Sequence, residues 1–234
     1  MSNAQRLIAG AAAVIVGLVG AGVLWLTVTS QPTPPQAPAA AAATKKPAPV
    51  PKAASRPTPQ NKPAAPGAGG LPDRISGPVL AQSEPVGVAI PRLGVTSGLV
   101  HLGVDSAGAM EVPTDPADAG WYARGPTPGA LGPAVIAGHV TWNQQPAVFY
   151  RLSELRRGDR VEVARADGQT AEFAVSEVAR FAKSQFPTRA VYGAIDHAGL
   201  RLITCGGEYD DSANRYLDNV VVFATLVDVR PTKS

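Results

Sequence analysis

The sequence predicts an all-β domain, a closed barrel or a sandwich, that follows an apolar N-terminal segment and a proline-rich linker. From Val79 onward, short runs rich in Val, Ile and aromatic residues alternate with turn residues. Long amphipathic helical patterns are missing from this region, which argues against βαβ units. Before it, proline, alanine and lysine dominate, so the 234-residue chain holds one folded domain of moderate size.

The first element is an apolar segment, Leu7 to Val28, without a charged residue. Its 22 residues, at ~1.5 Å each, would reach ~33 Å as a helix, enough to cross a ~30 Å hydrocarbon core. A cleaved signal peptide has a shorter apolar centre of ~7–15 residues, so we expect an uncleaved anchor. Arg6 precedes the segment and no charge follows until Lys45, which predicts that residues 1–6 are cytoplasmic. We expect a single-pass cell-membrane protein whose folded domain is extracytoplasmic.

The second element, residues 29–70, is predicted to be a disordered linker. Eleven prolines lie between Gln31 and Gly70 among Ala, Thr, Ser and Lys, a composition that buries too little apolar area to fold. In the extended limit of ~3.1 Å per residue, these 40 residues would span ~120 Å. The folded domain is then expected at residues 71–234.

Within the folded domain, turn chemistry predicts where strands meet. Asp167-Gly168 separates two alternating segments, 161–164 and 171–175, and predicts a hairpin. The best helical candidate is one short turn between Phe149 and Leu155. The other β-rich runs are VGVAIPRLGV, GLVHLGV, AVIAGHVTW, LRLITCGG and NVVVFATLVDV.

The distribution of charge argues against nucleic acid as a partner. The pI is near 9.2, but from Leu71 onward there are 15 basic and 18 acidic residues, a net charge of −3. The excess positive charge lies in the linker and at Arg6. A phosphate-binding domain would be expected to carry a basic face of its own.

Cys205 is the first candidate for chemistry, because it is the only cysteine of the chain and cannot form an intramolecular disulfide. It ends the apolar run Leu202-Ile203-Thr204 and is followed by Gly206-Gly207, which we interpret as the point where a strand ends and turns. A thiol there would be accessible at a barrel mouth. The alternative is a small apolar core residue.

His139 is the best candidate for a base among three histidines. It follows the apolar run 134–138 and has Gly138 beside it, which predicts a strand end that another group approaches closely. His101 lies within a strand-like run, and His197 follows Asp196; either could also serve the thiol.

Arg215 follows Cys205 by ten residues, at the start of the apolar run 219–227. If the two strands pair, Cys205 and Arg215 lie at the same end of the sheet. A guanidinium can hydrogen-bond a developing oxyanion. Pairing with an acidic residue of the intervening loop (Glu208, Asp210 or Asp211) is the equally open alternative.

Three motifs together resemble the sortase family. Leu202-Ile203-Thr204-Cys205 with a following arginine resembles its catalytic signature, the segment 132–140 resembles the one that bears its histidine, and the segment 90–95 resembles its first barrel strands. AGWYARGPTPGALGPAVIAGH is similar to the class E or F sortases of high-GC Gram-positive bacteria. The resemblance covers residues 86–227. It departs from the family at Arg201, where threonine is usual.

The resemblance implies a closed eight-stranded antiparallel β-barrel with short helical turns and a groove at one end. It also implies a cysteine transpeptidase in which Cys205 is the nucleophile, His139 transfers protons and Arg215 stabilises the transition state. Thr204 is expected to contact substrate. No metal or organic cofactor is needed for this chemistry.

The implied substrates are secreted proteins with a C-terminal sorting signal like Leu-Pro-X-Thr-Gly (LPXTG), cleaved between Thr and Gly. The implied acceptor is an amine, from a lipid-linked peptidoglycan precursor or a pilin lysine. Two alternatives remain at this stage: another Cys/His wall enzyme, such as an L,D-transpeptidase or a peptidoglycan hydrolase, and a non-catalytic wall-binding barrel on a stalk.

Overall fold

The computed structural model describes residues 32–38 and 74–232, all within one compact unit. In these ranges the chain forms ten strands: β1 Pro85–Ile90, β2 Val95–Leu102, β3 Ala119–Tyr122, β4 Gly132–Gly138, β5 Thr141–Trp142, β6 Gln145–Pro146, β7 Arg160–Arg165, β8 Gln169–Ala182, β9 Ala198–Asp210 and β10 Arg215–Pro231. Helical structure there is limited to 3₁₀ turns at Pro91–Leu93, Leu152–Glu154 and Lys183–Gln185 and a short α-helix, α1, at Thr188–Tyr192.

Eight of these strands close into a barrel in the order β1-β2-β3-β4-β9-β10-β8-β7, with β7 paired back to β1. The predicted closed eight-stranded barrel is therefore confirmed. The prediction that it is antiparallel was wrong, because β2 pairs with β3 and β4 pairs with β9 in parallel. The barrel is mixed.

The parallel pairs follow from the long connections between their strands. The chain crosses from β2 to β3 through residues 103–118, and it forms β5 to β8 and α1 between β4 and β9. Parallel neighbours require crossovers of about a dozen residues or more, whereas a short turn produces an antiparallel pair. The local alternation of apolar residues does not encode this difference.

The predicted hairpin is present between β7 and β8. Val161 lies opposite Phe173, and the turn contains Asp167 and Gly168, whose φ of +77° lies in the region that glycine adopts readily. The predicted helical turn is also present, as the 3₁₀ turn Leu152–Glu154.

The barrel encloses one main apolar core. Its members come from nearly every strand and from the 3₁₀ turn after β6, and they include the fully buried Ile90, Ile136, Phe149, Phe173 and Leu202. A second, smaller cluster packs α1 through Val191 against Val135, Ile203 and Val221. The strands that carry the chemistry are thus packed on both faces.

Residues 32–38 lie against the barrel without regular secondary structure, and we call them the docked segment. Ala37 is only 3% exposed. The Tyr150 hydroxyl donates to the Thr33 carbonyl at 2.9 Å, and the Arg180 backbone amide donates to the Pro38 carbonyl at 3.1 Å. The linker prediction did not anticipate this contact, because composition alone does not show that prolines and alanines fit an existing surface.

Among residues 32–38 and 74–232, no helix combines the length and hydropathy that a bilayer crossing requires. The predicted anchor at residues 7–28 lies outside the described residues, as do residues 1–6 and most of the predicted linker.

Candidate active site

Cys205 lies within β9 and is partly exposed. The strand does not end there as predicted, because it continues through Gly206 and Gly207 to Asp210. Gly206 still pairs with Asp218, and a β-bulge follows it, in which Gly207 and Glu208 lie opposite the single residue Leu217 of β10. Gly207 has a φ of +78°, typical of a bulge glycine, and the bulge bends the strand just beyond the thiol.

His139 lies beside Cys205 because β4 and β9 are parallel and in register. Their last Cα pair is Ala137 with Ile203, and His139 and Cys205 each follow that pair by two residues. Adjacent strands are ~4.8 Å apart, so the two residues occupy neighbouring positions on the same face. Thr204 reinforces the alignment, since its hydroxyl donates to the Gly138 carbonyl at 2.8 Å.

The His139 ring is held by a backbone carbonyl and an aromatic ring. Nε2 lies 2.8 Å from the Pro113 carbonyl oxygen, and the ring centroid lies 5.0 Å from that of Trp142. A carbonyl oxygen only accepts hydrogen bonds, so this contact assigns the proton of neutral His139 to Nε2. Nδ1 is then the nitrogen available for proton exchange.

The other two histidines make different contacts. His197 Nδ1 lies 2.8 Å from the Asp196 carboxylate, and this hydrogen bond holds the pKa of Asp196 below its usual range. His101 Nε2 lies 3.7 Å from the Glu84 carboxylate. The two cavities that Cys205 lines contain His139 and neither of these.

Lys183 supplies the cation that contacts the sulfur. It follows β8 directly, and its Nζ donates to Cys205 Sγ at 3.5 Å. The sequence reasoning missed this residue, because it lies 22 positions before Cys205 and outside every motif. One signal was present: Lys183 is the only lysine between residues 63 and 232, a region whose other cationic side chains are arginines and histidines.

Arg215 begins β10 and is exposed. Strands β9 and β10 pair, as the prediction assumed, but Cys205 lies within β9 opposite Asn219, while Arg215 lies opposite Asp210. The four-residue offset corresponds to roughly 13 Å along the strand. Arg215 nonetheless lines a cavity together with Cys205 and His139.

Of the acidic residues proposed as partners for Arg215, Asp210 has a lowered pKa. The main cause is a hydrogen bond from the Ser212 hydroxyl, and the charge of Arg215 contributes least. Within the described residues, no ion pair joins Arg215 to a carboxylate.

Two cavities meet at Cys205 and His139. The first, of about 610 Å³, is mainly apolar, and its wall includes Met110, Phe186, Tyr192 and Thr204. The second, of about 540 Å³, is more polar. Besides the two shared residues, its wall consists of Thr141, Trp142, Asn143, Gln144, Lys183, Tyr209, Asn214, Arg215 and Tyr216. An extended peptide and a second polar reactant could therefore approach the sulfur from different sides.

Arg201, the residue at which the chain departs from the expected threonine, is 5% exposed in β9. Its guanidinium stacks on Phe223 at 4.8 Å from the ring centroid, and burial lowers its pKa to about 10. Its Nε has no hydrogen-bond partner in the described part of the chain. The departure therefore changes the packing of β9 upstream of Cys205.

Comparison with known proteins identifies the domain. The sequence model of the sortase domain family matches residues 88–227. No curated protein sequence matches the chain.

Similar solved structures include three sortases. Sortase A of Listeria monocytogenes is 18% identical (TM-score 0.47; 64% of this chain and 92% of that chain covered). A lid mutant of Corynebacterium diphtheriae sortase A is 20% identical (TM-score 0.49; 64% of this chain and 74% of that chain covered). The SrtA sortase of Actinomyces oris is 20% identical (TM-score 0.49; 69% of this chain and 88% of that chain covered).

Proposed function

Because the chain belongs to the sortase family of cysteine transpeptidases, we propose that it cleaves LPXTG-like sorting signals between Thr and Gly and transfers the protein to an amine. The observation that carries this proposal is the register of β4 and β9, which sets His139 beside Cys205 at the junction of two cavities. A non-catalytic barrel would not require a thiol and an imidazole at that junction.

In the proposed first step, Cys205 attacks the carbonyl carbon of the threonine. A C–S bond forms, the C–N bond to glycine breaks, and the imidazolium of His139 gives its proton to the departing amine. The product is a thioester with neutral His139. The free Nδ1 of the ring is the atom we assign to this transfer, since Nε2 is engaged by Pro113.

In the proposed second step, the acceptor amine attacks the thioester carbon. A C–N bond forms, the C–S bond breaks, the sulfur leaves as the thiolate, and neutral His139 takes the proton of the amine. The two steps return both side chains to their starting states, so one difficult amide exchange is divided into two easier reactions.

Arg215 is proposed to stabilise the oxyanion or to hold a backbone carbonyl of the substrate from the polar cavity that it lines. Its offset along β10 favours a contact that forms when substrate is bound. Thr204 is proposed to contact the sorting signal from the wall of the apolar cavity, which suits the Leu and Pro of that signal.

We further propose that the enzyme is a single-pass membrane protein with an extracytoplasmic catalytic domain and belongs to the class E or F type. Its acceptor would then be a lipid-linked peptidoglycan precursor or a pilin lysine. These proposals depend on the apolar segment 7–28 and on the sequence resemblance described above.

Cleavage of an LPATG-type peptide by the full chain, followed by chromatography and mass spectrometry, tests the proposal. We expect Cys205→Ala and His139→Ala to abolish turnover and Arg215→Lys to reduce it, because the lysine keeps the charge but loses the planar fork. His101→Ala and His197→Ala serve as controls and should stay active. Turnover in Cys205→Ala would refute the mechanism, and an active His139→Ala beside an inactive His197→Ala would refute the histidine assignment.

A further inference from the structure

The environment of the thiol contains a cation that the mechanism above does not use. Lys183 Nζ lies 3.5 Å from Cys205 Sγ. The lysine reaches the sulfur from the end of β8, across β10, whereas His139 lies on the opposite side, next to β4. The sulfur is therefore flanked by an imidazole on one side and an ammonium on the other.

The charge of Lys183 is not neutralised by a carboxylate in the described part of the chain. Its one side-chain hydrogen bond there is to the sulfur. By contrast, six arginines around the barrel are paired with acids: Arg92 with Asp159, Arg151 with Glu154, Arg160 with Glu172, Arg165 with Asp167, Arg180 with Asp218 and Arg230 with Glu162. Lys183 thus presents an uncompensated positive charge to the nucleophile.

Arg215 does not occupy this position. Asn219 is the β10 residue opposite Cys205, and Arg215 begins the strand four residues earlier. A lysine is also suited to a sulfur at short range, because its ammonium is a compact point charge, whereas a guanidinium is a planar fork that matches carboxylates and carbonyl pairs.

We propose that Lys183 is a further catalytic residue of the transpeptidation, an inference that rests on the proposed function. Its ammonium stabilises the thiolate of Cys205 before attack and again when the C–S bond of the thioester breaks. Lys183 acts through its charge alone, while His139 carries the proton between the leaving amine and the acceptor amine. A cation beside a cysteine favours the reactive thiolate form.

Alkylation of Cys205 by iodoacetamide tests this without any peptide. Because Cys205 is the only cysteine, the intact mass of the full chain reports that one site. At pH 7 and fixed salt, we expect Lys183→Met to slow alkylation about tenfold or more, because it removes a full positive charge 3.5 Å from the sulfur. Lys183→Arg keeps a positive charge and should recover part of the rate. Arg157→Met is the matched control, since it removes the same charge from an exposed turn and should stay within about twofold of wild type.

Turnover of the LPATG-type peptide provides the second readout. Lys183→Met should lower kcat by about the same factor as it lowers the alkylation rate, with little change in KM. Thermal unfolding verifies that the variant is folded, and Lys183→Gln repeats the test if Lys183→Met is not. Equal alkylation rates for wild type and folded Lys183→Met would overturn the role of Lys183 alone. A wild-type thiol that does not react with iodoacetamide would overturn both this inference and the proposed function.

Discussion

The hydrogen bond from Thr204 to the Gly138 carbonyl should contribute both to stability and to catalysis. Thr204 is 4% exposed, and its hydroxyl donates at 2.8 Å to the residue just before His139. Thr204→Val keeps the shape of the side chain and removes the donor. Leaving a buried acceptor without this partner costs about 1–2 kcal/mol. For a domain of this size, that loss lowers the unfolding midpoint by about 2–8 °C.

The same bond fastens the end of β4, directly before His139, to the strand that carries Cys205. Without it the imidazole is less firmly placed, so we expect kcat for the LPATG-type peptide to fall about tenfold or more, with a smaller change in KM. Thr204→Ser keeps the hydroxyl and loses the methyl group. If Thr204 also contacts the sorting signal, the serine variant should raise KM and leave kcat nearly unchanged.

Thermal unfolding and steady-state turnover measured on the same preparations check these expectations. Thr96→Val is the matched control, because Thr96 is exposed in β2 and its substitution should change stability by less than about 0.5 kcal/mol. A Thr204→Val protein as stable as wild type would show that the bond adds nothing. A destabilised variant with unchanged kcat would show that the bond does not position His139.

Three further substitutions test other parts of the structure. Gly207→Ala should cost at least about 1 kcal/mol more than Gly168→Ala. Both glycines have a positive φ, but of the two only Gly207 would place its new Cβ against the Asp218 carboxylate; equal unfolding midpoints would contradict this clash. Ala37→Glu should destabilise the full chain by about 1–3 kcal/mol, because Ala37 is buried. The control Thr33→Glu, at an exposed position, should cost less than about 0.5 kcal/mol, and equal effects would mean that the docked segment is not held in solution. Asp167, 35% exposed, has a lowered pKa because a buried guanidinium donates to it, so Asp167→Asn should cost about 1 kcal/mol at pH 7. That difference should begin to shrink as the pH falls below ~4, the usual pKa of the carboxyl in the unfolded chain, and vanish only below the lowered pKa of the folded protein, where the wild-type carboxyl is protonated as well. A gap independent of pH would refute the assignment.

Local patterns in the sequence predicted the features that depend on neighbouring residues. The hairpin at Asp167-Gly168, the closed eight-stranded barrel and the pairing of the strands that carry Cys205 and Arg215 are confirmed. Each of these depends on turn residues, on apolar runs or on a family motif that the chain contains.

Features that depend on contacts between distant segments were not predicted. The parallel pairing of β4 with β9, which aligns His139 with Cys205, is set by a long crossover. The bulge at Gly207 looked like a strand end, because a glycine pair is compatible with either. Lys183 approaches the sulfur only because β8 lies beside β10, an order that the sequence does not display.

Intact-mass spectrometry of the full chain during reaction with an LPATG-type peptide tests the central claim most directly. The account predicts a thioester adduct on Cys205 that disappears when triglycine is added, together with the appearance of the triglycine-linked product. Cys205→Ala should show neither species. A folded chain with a reactive thiol that forms no adduct with the peptide would contradict the claim that this sortase acts on LPXTG-like signals.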